Sequence, residues 1–329
     1  METQPLNGPI PETQNRGVLL LGFGGPEKRE EVLPFLRDVT AGRGIPEERL
    51  ALVARQYEAI GGVSPYTCLT QGQADALARL LPARGCTYPV HTAYLHSSPR
   101  LAEKMESLLR AGVNDLAVII LAPHRSPASY DKYLLALDKA AAHCRSLSLG
   151  EARLRLPPPW HNRPGFLKAL ADRVLTAAQS LGAVDKRHVE VIFTAHSIPT
   201  AMAHASPYLQ QLHETAKGVT ERIHVPYYQL AFQSRSGRPG DPWLEPDVGD
   251  FLEERGRAGL KNAVVVPIGF LVDHVEVLYD LDVLARSRAE KAEVRFVRAR
   301  TVGDHPSFIA LLSSLVEEAF TPDHAGSTA

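Results

Sequence analysis

Residues 263–282 read AVVVPIGFLVDHVEVLYDLD, and a change of period inside that stretch decides the fold. Ala263 to Ile268 is a short apolar run ended by Gly269, the pattern of a strand covered on both faces. From Leu271 onward the spacing is helical. At about 100° per residue, Leu271, Val275 and Leu278 share one side, while Asp273, Glu276 and Asp280 fall within about 60° of one another on the other. An apolar strand feeding an acid-faced helix puts the start of that helix at the carboxyl end of a sheet, where open α/β folds place their sites. The acidic face has two readings, a solvated stripe or a functional row, and spacing alone leaves both open.

The same alternation runs outward through the chain. Strands are expected at Val18–Phe23, Val90–Leu95, Leu116–Leu121, Arg153–Leu156, Val189–Thr194, Tyr227–Phe232, Ala263–Ile268 and Val294–Arg298. Helical stretches lie between them, among them Glu30–Asp38, Glu47–Ile60, Gln71–Leu81, Pro99–Ala111, Pro164–Leu181 and Tyr208–Glu221. This predicts an α/β protein with largely parallel sheets, built as two four-stranded layers joined near PPPWHNRPG at 157–165. No short-period repeat is visible, so a solenoid or propeller is not supported. The polar ends, 1–14 and 321–329, are expected to be flexible termini.

At 329 residues, 44% hydrophobic and 22% charged, the chain has material for two domains and is no low-complexity sequence. Its 36 Lys and Arg balance 37 Asp and Glu to a net charge of -1, so no global field favours nucleic acid or an anionic membrane. Apolar runs such as Leu116–Ala122 fall far short of the about 18 residues of a membrane span. The opening METQPLNGPIPETQNR has no signal-peptide core, and a cytoplasmic location is expected. Cys68, Cys86 and Cys144 are odd in number and lack CxxC spacing, which argues against a disulfide framework, a structural zinc site or a four-cysteine iron-sulfur cluster.

Two turns, one Gly-rich and one His-bearing, are candidate sites. Gly22-Phe23-Gly24-Gly25-Pro26-Glu27 invites a dinucleotide reading, but the fingerprint needs Gly where Glu27 stands, and a carboxylate there repels a pyrophosphate. A tight strand-to-helix turn is the better account. The P-loop, HExxH and GxSxG motifs are absent from the sequence. Thr194-Ala195-His196-Ser197-Ile198-Pro199 follows the apolar run VEVIF, so His196 is expected at the carboxyl end of the same sheet as the acidic helix. An imidazole beside carboxylates can accept a proton near neutral pH or help hold a divalent metal.

Together, AHSIP at 195–199, PIGFLVDHVEVLYDLD at 267–282, YEAIGGVSP at 57–65, QSRSG at 233–237 and PWLEPD at 242–247 make the sequence resemble the ferrochelatases, which insert ferrous iron into a porphyrin. The resemblance runs from about residue 17 to 320. LAPH at 121–124, YEAIGG and FQSRSGRPGDPWLEPD look most like the coproporphyrin-using bacterial branch. What the resemblance implies is two Rossmann-like domains, 15–150 with 301–320 and 151–300, around a porphyrin cleft. It implies coproporphyrin III and Fe²⁺ as substrates, no further cofactor, a monomer, and transient contact with neighbouring heme-pathway enzymes.

The resemblance assigns catalysis to His196 and Glu276, with Asp273, His274 and Asp280 extending the polar row. Metal ligation is expected from His196, Glu276, Asp273 and Asp280. Phe23, Arg43, Tyr57, Ser64, His124, Tyr130, Gln233, Ser234, Arg235, Trp243 and His274 are expected to frame the porphyrin. Phe23 stands where one bacterial group places an iron-ligating Tyr, which makes Tyr130 a substitute candidate. A paired basic motif is reduced to Arg43, AYLHSSPRL is shortened, and Leu284 replaces an acid found in some relatives. Competing readings are a protoporphyrin IX ferrochelatase, a cobalt or nickel chelatase, and a tetrapyrrole carrier that no longer turns over.

Overall fold

The structure, a computed structural model, describes residues 15–182, 189–236 and 240–321. Among the described residues, eight strands form two separate sheets: β1 Arg16–Gly22, β2 Val90–Tyr94, β3 Asp115–Ile120 and β4 Arg153–Arg155, then β5 Val189–His196, β6 Gln229–Gln233, β7 Asn262–Pro267 and β8 Arg295–Arg298. Each sheet is parallel, in the order β2-β1-β3-β4 and β6-β5-β7-β8. The two layers therefore repeat one topology. Parallel strands covered by helices on both faces must be apolar on both, and β3 and β7 are buried from end to end.

The helices are α1 Val32–Val39, α2 Glu47–Ala59, α3 Tyr66–Leu80, α4 Leu101–Arg110, α5 Tyr130–Ser146, α6 Pro164–Gln179, α7 Thr200–His204, α8 Tyr208–Ile223, α9 Val248–Arg257, α10 Val275–Leu278, α11 Arg286–Lys291 and α12 Pro306–Phe320. Helix α12 crosses back to pack on α3, α6 and β3. Strand β4 pairs with β3 through Asp115 and Arg153, so the first sheet extends past the boundary expected at residue 150. The ends expected to be flexible lie outside the described residues except Thr321.

Three local differences from the sequence reading matter for the site. Helix α3 starts at Tyr66, five residues early, because the Ser64 hydroxyl accepts the Tyr66 N–H and Thr70 back-bonds to the Tyr66 carbonyl, holding a turn whose apolar spacing is weak. Strand β5 runs two residues beyond Thr194, because β6 pairs with it as far as His196 opposite Gln233. The acid-faced stretch is not one α-helix. It is the single turn α10 followed by a π-helical turn, Asp280–Ala285, before α11. His274 caps α10, so Asp273 precedes the helix and does not share a face with Glu276.

Candidate active site

The carboxyl ends of β5 and β7 meet at the point where the strand order of the second sheet reverses. Gly269 makes that approach possible. A Cβ there would lie 3.0 Å from the Ala195 Cβ, and its N–H donates to the Thr194 carbonyl at 3.3 Å. The chain leaving β7 is thereby laid beside His196. His196 ends β5, its Nδ1 turned to the Ser197 carbonyl, and the Tyr208 hydroxyl donates to its backbone oxygen at 2.9 Å. With Nδ1–H donating, Nε2 faces the Glu276 carboxylate, 3.6 Å away.

Glu276 is held from several sides. Its N–H donates to His274 Nδ1 at 3.3 Å, and the Gln233 side-chain amide donates to its carbonyl. The His274 ring is wedged between Phe270, at 4.5 Å, and Tyr66, at 6.1 Å. One turn on, Asp280 accepts from the Ser234 hydroxyl, and Ser234 reaches it from a left-handed conformation with φ 62°. The side chains of His196 and Glu276 keep 31% and 36% exposure, so the pair is recessed yet open to a ligand.

The charges follow from this arrangement. Desolvation works against protonated His196, but Glu276, the Ser197 carbonyl and Asp280 outweigh it and raise its pKa. Desolvation likewise works against ionised Glu276, yet the facing imidazole keeps its carboxyl below the usual value. Asp280 interacts only weakly with the His196 imidazole. Desolvation, helped by the Glu276 charge and only partly offset by Ser234, pushes its carboxyl up to about 7. Desolvation holds His274 neutral by lowering its pKa.

The first domain supplies an aromatic wall. Phe23, Phe35 and Tyr57 pack edge to face at 6.2 and 6.5 Å, in one cluster with Val275 and Tyr279 of the acidic segment. Burial and the Glu276 charge raise the Tyr57 hydroxyl above its ordinary value, which sets it near that carboxylate. Tyr130 opens α5, half-buried beneath Arg125 at 5.8 Å. Arg43 is exposed between α1 and α2. Arg235 reaches the Asp241 carbonyl at 2.8 Å and Glu245 at 3.6 Å, while Trp243 bridges to Pro199 on the β5 side. The last glycine of QSRSG lies outside the described residues.

Four expected roles change. Asp273 leaves the metal row: Arg298 grips both its oxygens, at 3.2 and 3.1 Å, and the Thr301 hydroxyl donates to it at 2.9 Å. His124 is 3% exposed, hydrogen-bonded to Thr215 behind the site, and desolvation drives its pKa down to about 3, so it has no face for a porphyrin. Ser64 is buried and locks the turn after β1, where a Cβ on Gly25 would come within 2.6 Å of its hydroxyl oxygen. Gln233 is 1% exposed and acts on Glu276 through the backbone. Among the described residues, no group of three or more His, Cys, Asp or Glu side chains could hold a metal ion, so the expected four-donor row is not assembled.

Sequence reading missed Arg298, Tyr208 and His96. The His96 Nδ1 lies 2.7 Å from Asp38, which also holds Arg100, and its ring packs on Phe23 at 4.7 Å. The signal in AYLHSSPRL is an imidazole at the end of a first-sheet strand, the same placement that marks His196.

A family model described as ferrochelatase matches residues 15–320. The chain belongs to the ferrochelatase family. Ferrochelatases insert a metal ion into a porphyrin, and this chain is an enzyme of that class. It is 41% identical over 318 residues to a coproporphyrin III ferrochelatase of Frankia alni, covering 93% of this chain and 80% of the relative. A coproporphyrin III ferrochelatase of Streptomyces coelicolor is 37% identical, over 92% and 84% of the two chains. A ferrochelatase of Rhodopirellula baltica is 35% identical, over 91% and 85%. Among solved structures, SirB from Bacillus subtilis with Fe³⁺ superposes with a TM-score of 0.57 at 13% identity, covering 95% of this chain and 98% of that one. At that identity the likeness speaks to the fold alone, and the fold is that of a two-layer chelatase.

Proposed function

We propose that this ferrochelatase acts on coproporphyrin III, exchanging its two pyrrole N–H protons for one Fe²⁺ to give coproheme. The observation that carries the reading is the His196–Glu276 pair, an imidazole Nε2 3.6 Å from a carboxylate in a recessed, open site. The relatives from Frankia and Streptomyces, which carry that substrate in their names, support the choice of porphyrin. Iron keeps its oxidation state, so the chemistry asks for a proton acceptor and a weak metal route and for no resident redox cofactor. His196 Nε2 takes one of the two pyrrole protons and the Glu276 carboxylate beside it takes the other. Ser234 and Asp280 offer hard oxygen donors suited to handing a divalent ion onward.

The test is anaerobic: protein, Fe²⁺ and either coproporphyrin III or protoporphyrin IX, followed by porphyrin fluorescence, which iron quenches. Turnover with coproporphyrin III well above that with protoporphyrin IX is expected. The reverse order makes the chain a protoporphyrin ferrochelatase, and binding without iron-dependent conversion makes it a carrier. The proposal extends to a monomer in the cytoplasm that hands coproheme to a neighbouring heme-pathway enzyme. Among the described residues, no helix is long and apolar enough to cross a membrane.

The first-strand loop has its own prediction. Phe23 offers iron no oxygen and packs on Phe35 and His96, so the product should carry His196, Tyr130 or water as axial ligand rather than a phenolate from that loop. Resonance Raman spectra of the coproheme complex are expected to lack a phenolate mode or to lose it in Tyr130→Phe. A phenolate mode that survives Tyr130→Phe contradicts this ligand assignment. Phe23→Tyr is expected to create that mode and slow product release.

A further inference from the structure

We infer that Arg298, at the end of β8, is a positioning residue for metal insertion: one guanidinium clamps Asp273 and Asp282, the residues that bracket Glu276 and Asp280, and so fixes where both site carboxylates stand. The inference rests on the metal-insertion reading above. Arg298 Nη1 and Nη2 donate to the two oxygens of Asp273 at 3.2 and 3.1 Å, fork on fork, while Nε donates to Asp282 Oδ1 at 2.8 Å. The Thr301 hydroxyl completes Asp273 at 2.9 Å, and Arg286 stands 3.6 Å from Asp282. Only 10% of the Arg298 side chain is exposed.

The segment needs an outside hold. Helix α10 is one turn of four residues, and it runs into a π-helical turn, a geometry that is poorly stable by itself. Its two ends, nine residues apart in sequence, meet on one planar cation from another strand. Charge-assisted, bidentate bonds of this kind fix orientation, and lysine, a point charge, cannot serve both carboxylates in that geometry. With three hydrogen bonds on its two oxygens, Asp273 anchors the segment.

The experiment compares wild type, Arg298→Lys, Arg298→Met and the triple variant Arg298→Met/Asp273→Asn/Asp282→Asn, in which no carboxylate is left stranded. Hydrogen exchange over residues 271–286 reads the clamp without turnover, and exchange at least about tenfold faster in both Met-bearing variants is expected. Steady-state rates are expected to show kcat/KM for Fe²⁺ down by about tenfold or more in Arg298→Met, with the coproporphyrin III Kd within about twofold. Arg298→Lys should recover part of that loss. The triple variant should regain thermal stability but not the iron kcat/KM. Unchanged exchange over 271–286 overturns the clamp even if wild type proves not to insert iron. A lower iron KM in Arg298→Met, as expected if a freed Asp273 were an iron ligand, also overturns it, as does a triple variant that recovers stability and turnover together.

Discussion

His196→Ala is expected to lower metal insertion by at least about a hundredfold, the usual reach of a positioned general base, while coproporphyrin III still binds and the fold persists. The imidazole is the group at the end of β5 whose free Nε2 faces the Glu276 carboxylate, and its own contacts explain why the loss would be local. The backbone carbonyl of His196 keeps its bond from Tyr208, and the strand keeps its pairing to Gln233. Truncating the ring thus removes the proton acceptor without unseating β5. Fluorescence quenching at saturating iron measures the rate, and a porphyrin titration without iron measures binding. Near wild-type turnover would remove His196 from the chemistry.

Glu276→Gln and Asp280→Asn are expected to fail differently. Glu276 pairs with the imidazole, and its amide replacement keeps shape and backbone contacts but loses the charge that raises the His196 pKa. The maximal rate should fall by about one to three orders of magnitude. Asp280 lies one turn farther along, hydrogen-bonded to Ser234, so its amide mainly raises the iron concentration needed. Equal losses of maximal rate in the two variants would mean that proton and metal work are not divided this way.

The pH dependence separates them further. Asp280, with a carboxyl pushed up to about 7, gains its charge as pH rises through that value, so the iron KM should fall there in wild type and stay flat in Asp280→Asn. A rising limb of kcat from deprotonation of His196 should survive in Asp280→Asn and move to lower pH in Glu276→Gln. Stability carries the opposite sign. A carboxyl whose folded pKa lies above its ordinary 3.8 favours the folded state at low pH and loses that contribution as pH rises toward about 7, so Asp280→Asn should raise Tm more at pH 8 than at pH 4.

The sheets were legible because parallel strands covered on both faces appear as unbroken apolar runs, as in β3 and β7, and because each run is followed by a turn or helix signal. Sheet-end placement made the nearness of His196 to the segment carrying Glu276 legible in the same way. The acidic row was misread because a constant 100° step assumes a continuous α-helix, and nothing in VDHVEVLYDLD marks the cap at His274 or the π-helical turn after Tyr279. The partner of Asp273 lies 25 residues away on β8, a contact that only the sheet order creates. His124 and Ser64 were misplaced because a motif tells which residues travel together, while tertiary packing decides which of them face outward.

Chemical rescue probes whether the His196 imidazole takes a pyrrole proton as iron enters. In His196→Ala, anaerobic single-turnover insertion of Fe²⁺ into coproporphyrin III is measured with added 2-methylimidazole, whose methyl group hinders iron ligation, and with imidazoles of graded basicity. Saturable rescue by 2-methylimidazole is expected, with rates that rise with the basicity of the rescuing ring. A variant that binds porphyrin normally yet gains no rate from any of these bases would contradict that role for His196.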